Sequence, residues 1–230
     1  LVDTVLTFEG DRASALRLLR ASKNRYGPAD EVAAFEQTED GLRQVVDPSE
    51  LFRGHRDVPV PGTCVAVTME GRRALLNEVQ ALVATTTTGR RTVTGLDPAR
   101  VTMLAAVIDR ISEKKIDSHD LFVATVGGAR IIDPAADLAV CLAIASALRN
   151  VAVPAHVLAI GEVALSGDIR PVQHLQARVN EARRLGFTRI LVPVGSRSRL
   201  DSGPSQEVVT ELDHINLALG SLDRIATQGY

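Results

Sequence analysis

The sequence predicts an α/β fold arranged as two units in tandem. Three observations carry this expectation. The chain has 230 residues, of which 45% are hydrophobic but 3% aromatic and none Trp, so the core must be built from Val, Leu, Ile and Ala. That composition suits stacked helices and sheets better than an aromatic-rich sandwich. Residues 1–46 hold short runs of β-forming residues separated by turn signals, and from Thr63 onward strand-like runs alternate with apolar stretches at helical spacing.

The elements follow in order. Residues 1–8 read as a strand ended by Glu9-Gly10-Asp11, and residues 16–21 as a second. Residues 23–28 form a loop, 31–37 a third strand, Glu39-Asp40-Gly41 a tight turn and 42–46 a fourth strand. Such a meander is too small to be stable alone and reads as the edge of a larger sheet. Asp47-Pro48-Ser49-Glu50 is a helix-start signal. Residues 51–62, with two prolines and two glycines, read as a linker.

In the second unit, residues 64–69 predict a strand, 70–72 a turn and 74–88 a strand-like pattern ending in four threonines. Apolar residues at 101, 104, 107, 108 and 111 place a helix over 96–111, after Asp97-Pro98. Residues 121–126 predict a strand, and 134–148 a buried helix, apolar nearly all round. Residues 157–163 and 168–172 predict a hairpin about Leu165-Ser166-Gly167. A helix over 175–185 closed by Gly186, a strand over 188–193 and a helix over 213–222 complete the unit.

The formal charge is −2, so any nucleic-acid contact must come from a local patch. Cys64 and Cys141 lie far apart in apolar runs and predict buried, reduced thiols of a cytoplasmic protein. No apolar stretch has membrane-spanning length, so no membrane partner is expected. The start has neither an initiator Met nor a basic n-region, and the chain reads as a piece of something longer.

Two stretches carry chemistry by pattern. Residues 133–148 begin Asp-Pro-Ala-Ala-Asp-Leu, and residues 161–182 contain Gly-Glu-Val, Gly-Asp-Ile-Arg-Pro-Val and Leu-Gln-Ala. Together they resemble the Lon-type Ser–Lys peptidase domain, with its "GPSAG" turn followed by "GE(I/V)…G…PVGG(I/L)KEK". That resemblance puts the nucleophile position on Ala135 and the lysine position on Gln176. Alanine has no nucleophile, and a glutamine amide takes no proton from a hydroxyl at neutral pH. The frame implies a retained fold without the reaction.

Residues 23–27 read Lys23, Asn24, Arg25, Tyr26, Gly27 and resemble the "KNRFG" signature of the bacterial RadA (Sms) family, with Tyr26 in place of Phe. Phe35 to Leu42, Gly127-Gly128 and Gly161-Glu162-Val163 fit the same family. The resemblance implies a partial RecA-like β-meander over 1–47, a linker over 48–62 and a Lon-protease-like (ribosomal S5-like) domain over 63–230. It further implies a DNA repair protein that promotes homologous recombination by ATP-dependent branch migration as a homo-hexamer. Its expected partners are single-stranded and branched DNA and the recombinase RecA. ATP with magnesium and zinc are expected for the full-length protein. They are not expected for this chain, which has neither a Cys-rich finger nor a G-x-x-x-x-G-K-[ST] phosphate loop and so should not hydrolyse ATP alone.

By the same resemblance, Lys23 and Arg25 would reach a neighbouring subunit's nucleotide. Arg72, Arg73, Arg90 and Arg91, in or beside turns, are candidate phosphate contacts. Lys114 and Lys115 suit the dipole at a helix end, and Asp137 the start of one. His174, Ser146 and Ser166 lack a partner at the right distance for catalysis, and Glu162 and Asp168 read as structural. Two other readings remain, a Lon-type peptidase with a displaced dyad and a pure oligomerisation module.

Overall fold

The computed structural model describes all residues except 1, 11–15, 30, 46, 48, 50–57, 86–88, 113–114 and 228–230. The first sheet is an antiparallel meander of β1 (Thr4–Glu9), β2 (Leu16–Asn24), β3 (Val32–Thr38) and β4 (Gly41–Val45), in that order. β2 runs on through Lys23 and Asn24, which the sequence placed in a loop. Its own core is small: Ala34 is packed by Leu18, Val45 and Ala129, the last from the second unit. β1 is exposed along its whole length. The helix start expected at 47–50 and most of the linker fall outside the described residues, although Asp47 and Ser49 are placed.

The second sheet has seven strands in the order β13-β12-β9-β5-β6-β8-β7. These are β5 (Thr63–Glu70), β6 (Arg73–Thr85), β7 (Arg91–Thr94), β8 (His119–Thr125), β9 (Val157–Ala159), β12 (Arg189–Pro193) and β13 (Val209–Leu212). β5–β6 and β6–β8 are antiparallel, whereas β7–β8, β5–β9, β9–β12 and β12–β13 are parallel. The fold is therefore a mixed α/β architecture, as the composition predicts. β7 and β13 are strands the sequence reading did not contain.

Alternation along the strands sorts the core into two layers. Cys64, Ala66 and Val79 face one side with α1 (Pro98–Ile111), α2 (Asp137–Arg149) and α5 (Ile215–Thr227). Val67, Leu76, Leu158 and Ile190 face the other side, with α3 (Leu175–Arg184). α2 is buried from Asp137 to Ser146, as an all-apolar helix between a sheet and two other helices must be. Asp97 caps α1 by accepting from the N–H groups of Ala99 and Arg100, and Asn150 closes α2 in the left-handed region at φ 56°.

The expected hairpin about Leu165-Ser166-Gly167 forms, but its first arm is Glu162–Val163 and not the whole of 157–163. β9 joins the large sheet, the chain turns at Ile160-Gly161, and β10 (Glu162–Val163) pairs with β11 (Ile169–Arg170) in a separate ribbon. The cause is Gly161, whose N–H donates to the Ala135 carbonyl at 2.8 Å and whose carbonyl accepts from Leu138 N–H at 3.0 Å. A Cβ there would meet the Ile169 side chain of β11 at 2.6 Å, so any larger residue would have to displace Ile169. A one-turn helix, α4 (Pro204–Glu207), precedes β13. The last helix begins at Ile215 and runs to Thr227, beyond the expected 213–222.

Candidate functional site: the vacated dyad and the arginine turns

Asp133 organises the region around Ala135. Its Oδ1 accepts from Ala135 N–H at 3.0 Å, starting the short turn Pro134–Ala136 that leads into α2. Its Oδ2 accepts from Met69 N–H at 3.0 Å and pairs with the Arg178 guanidinium at 2.7 Å. The Arg178 side chain is 3% exposed and also donates to the carbonyls of Val67 at 2.5 Å and Gln173 at 3.0 Å. A buried cation is tolerated because each of its three guanidinium nitrogens has an acceptor.

Ala135 is buried, its N–H taken by Asp133 and its carbonyl by Gly161. Gln176 is committed elsewhere. Its amide nitrogen donates to Asn180 Oδ1 at 2.8 Å and Ser205 Oγ at 3.2 Å, and its oxygen accepts from Asp201 N–H at 2.7 Å. These contacts tie α3 to α4 and present no base to residue 135.

The neighbouring hydroxyls have structural partners. Ser146 Oγ accepts from Gly62 N–H at 2.8 Å and donates to the Val151 carbonyl at 2.5 Å. Ser166 Oγ donates to Asp168 at 2.5 Å, while His214 Nε2 lies 3.1 Å from the Ser166 carbonyl, not from its hydroxyl. His174 is exposed in the left-handed region at φ 55°, at the start of α3.

Asp137, at the first position of α2, is buried. Its carboxylate accepts from Val163 N–H at 3.1 Å and from Arg100 through Nε at 3.1 Å and a second guanidinium nitrogen. Burial pushes this carboxyl above the usual range, and the Arg100 and Val163 hydrogen bonds pull it back. Glu162 lies 3.8 Å from Arg100, so the pair joins α1, α2 and the β10 ribbon. This is a structural role at a helix start, as the sequence reading expects.

The residues of the signature turn back on the preceding strand. Lys23 Nζ donates to the Val2 carbonyl at 2.7 Å. Arg25 pairs with Asp3 at 3.0 Å, and the Tyr26 hydroxyl donates to the other Asp3 oxygen at 3.3 Å. Asn24 closes the turn, accepting from Tyr26 N–H at 3.2 Å and donating to the Pro28 carbonyl at 3.3 Å. A side chain at Gly27 would meet the Asn24 amide at 2.9 Å. Tyr26 is 79% exposed, and Arg25 is solvent-facing, so this loop presents a cation and an aromatic ring outward.

The two arginine pairs are not one patch. Arg72 and Arg73 occupy the β5–β6 turn, beside a shallow groove shared with Asn180, Glu181 and Arg184. Arg91 starts β7 opposite Leu121, which in turn faces Val83 of β6. The pairs are thus ten strand positions apart, about 33 Å at the usual rise. Arg72 and Arg90 are exposed. Arg91 instead spends its guanidinium on the carbonyls of His119 at 2.7 Å, Gly89 at 3.2 Å and Ile116 at 3.2 Å. Lys115 bonds the Asp109 carbonyl near the end of α1, and Lys114 lies outside the described residues.

The ion pairs of the structure were absent from the sequence reading, among them Asp133–Arg178, Asp137–Arg100 and Arg20–Glu70. For Arg178 a signal existed, because it falls with Leu175, Val179 and Ala182 on the buried stripe of α3. A cation at that phase must find acceptors.

Nothing in the described residues fits a resident metal: no three His, Cys, Asp or Glu side chains come together, and Cys64 and Cys141 are separately buried. Among the described residues no helix is long and apolar enough to cross a membrane.

Comparison with known proteins places this geometry. Residues 111–196 match the family described as subunit ChlI of Mg-chelatase. The chain is 48% identical to the DNA repair protein RadA of Mycolicibacterium smegmatis over 230 residues, all of this chain and 48% of that protein. It is 50% identical to RadA of Mycobacterium tuberculosis over 195 residues, 84% of this chain and 41% of that protein. It is 42% identical to RadA of Pseudomonas aeruginosa over 224 residues, 96% of this chain and 49% of that protein. The chain is a member of the RadA family and spans about half the length of the curated relatives it matches.

Proposed function

We propose that this chain is the C-terminal part of a RadA-type DNA repair protein, in which a Lon-like unit serves as an assembly scaffold and a DNA-contacting surface without peptidase activity. The observation that carries this reading is the occupied state of the dyad positions. Ala135 is buried with both its backbone groups bonded, and Gln176 holds Asn180, Ser205 and Asp201. A fold retained without nucleophile or base supports a structural use of the frame. The division would fall near residues 1–47, 48–62 and 63–230. In the full-length protein ATP with magnesium and zinc would be bound outside this chain, which would join a homo-hexamer acting in the cytoplasm on single-stranded and branched DNA alongside the recombinase RecA.

The exposed Arg72 and Arg90 are the side chains best placed to meet phosphate, each at one end of β6. The outward-facing Arg25 is the one best placed to meet a neighbouring subunit's nucleotide. Fluorescence-anisotropy titration of this chain with single- and double-stranded DNA at low and physiological salt tests the DNA-contacting part. Binding that weakens steeply with salt and drops in Arg72→Ala/Arg90→Ala supports it. Absence of binding at low salt, with assembly intact by sedimentation, leaves the pure scaffold in its place.

A further inference from the structure

Among the described residues, one contact between the meander and the seven-stranded sheet is an ion pair inside a cluster of three charges. Arg20 lies in the middle of β2, three residues before Lys23. Its guanidinium is held from two sides. Within the meander, Glu9 of β1 receives it at 3.2 Å, and from the other sheet Glu70, the last residue of β5, receives it at 2.9 Å. The Arg20 side chain is 20% exposed and that of Glu70 26%, so the pair is sheltered from water on most sides. Burial raises the Glu70 carboxyl, and the Arg20 hydrogen bond lowers it again. Glu70 is in turn the neighbour of Met69, whose N–H is fixed by Asp133. Among the described residues, Ala129 packs against Ala34, and further contacts lie just beyond the other end of the meander. Asp47 pairs with Arg184 at 2.7 Å, and Ser49 Oγ accepts from Leu76 N–H at 3.2 Å.

We propose that Arg20 is the latch that locks the meander onto the seven-stranded sheet through Glu70, and so sets where the turn at Lys23 to Gly27 is presented. Glu9 and Glu70 hold the same guanidinium but have different consequences. Loss of the Glu9 charge loosens a contact inside the meander. Loss of the Glu70 charge removes the bond between the two sheets and leaves a sheltered arginine with half its partners. The Asp47–Arg184 pair, with Arg184 half exposed, then becomes a hinge more than a second lock.

The test uses spin labels at two exposed positions, Leu42→Cys on β4 and Leu217→Cys on α5. Cys64 and Cys141 are buried and do not compete for the label. Double electron–electron resonance then gives the distance distribution between the sheets. A narrow distribution in the parent, at least doubled in width by Glu70→Gln and unchanged in width by Glu9→Gln, is the result expected. An unchanged width in Glu70→Gln, equal broadening in both variants, or a parent that is already broad overturns the latch. If Glu70→Gln loses its helical circular dichroism, Glu70→Asp, which keeps the charge and shortens its reach, is read by the same criterion.

Discussion

Asp133 and Arg178 form an ion pair at 2.7 Å beneath the turn that carries Ala135, with the Arg178 side chain 3% exposed. One carboxylate thus serves as cap for the turn, as acceptor for the β5 amide of Met69 and as counter-ion for a buried guanidinium. Removing the cation leaves that buried carboxylate without its counter-ion and takes a donor from two carbonyls. Arg178→Ala is expected to cost about 3–5 kcal/mol, the range for breaking a buried pair from one side. Urea unfolding measures it, and a loss below about 1 kcal/mol would show that water replaces the guanidinium freely.

Restoring the Lon-type residues should not restore hydrolysis. In Ala135→Ser/Gln176→Lys the serine enters a buried turn already bonded to Asp133 and Gly161, and the lysine enters a site whose neighbours are Asn180, Ser205 and the Asp201 amide. No turnover of a fluorogenic peptide is expected. Clear turnover that survives repurification would mean that both side chains can reach each other.

The arginine pair at 90–91 should divide by function. Arg91→Ala removes four bonds from one guanidinium to backbone carbonyls and is expected to destabilise the β7 edge by about 2 kcal/mol. Arg90→Ala, whose side chain is exposed, should leave the thermal midpoint within about 1 °C. Equal midpoints for the two variants would contradict this division.

Stability should fall in alkali. Burial pushes the Cys64 thiol up to about 12 from an ordinary value of 9.0, and it pushes Cys141 up as well. Above pH 9 the unfolded chain loses these protons while the folded chain keeps them, so the stabilisation is complete below pH 9 and lost as pH rises toward 12. Each thiol contributes a slope of about 1.4 kcal/mol per pH unit in that window. Cys64→Ala should flatten the alkaline limb of a stability–pH curve, and an unchanged limb would show that the thiol ionises in the folded protein.

Much of the architecture was legible from period and punctuation. The meander, α1 with its Asp97-Pro98 start, the all-apolar α2 and the Gly186 stop of α3 all declared themselves locally. β7 did not, because Arg-Thr-Val-Thr is four residues of an edge strand held by pairing with β8, and β13 is equally short. Residues 157–160 are apolar and Gly161-Glu162 interrupts the run, but one glycine does not by itself fix the break at Ile160-Gly161, where a tertiary contact with Ala135 decides the path. At the site, Ala135 and Gln176 were singled out only through the resemblance to the Lon-type motif. The partners that now occupy Gln176 and the route of the Arg91 guanidinium depend on residues distant in sequence.

The position of β9 has a kinetic consequence. Leu158 pairs with Val65 on one side and Ile190 on the other, both in parallel register. The β5–β6 hairpin closes through Glu70 and Arg73, whereas joining β5 to β9 must close a loop of roughly ninety residues, at a larger entropic cost. β5, β6 and β8 can therefore zip early, while the three residues of β9 wait for β12 and the helices between. Pulse-labelled hydrogen exchange during refolding should protect Val79 and Val123 before Leu158. An interior strand of the finished sheet, next to the central β5, would then be among the last to arrive, and until it did the incomplete sheet would carry two open edges where the native molecule has neighbours.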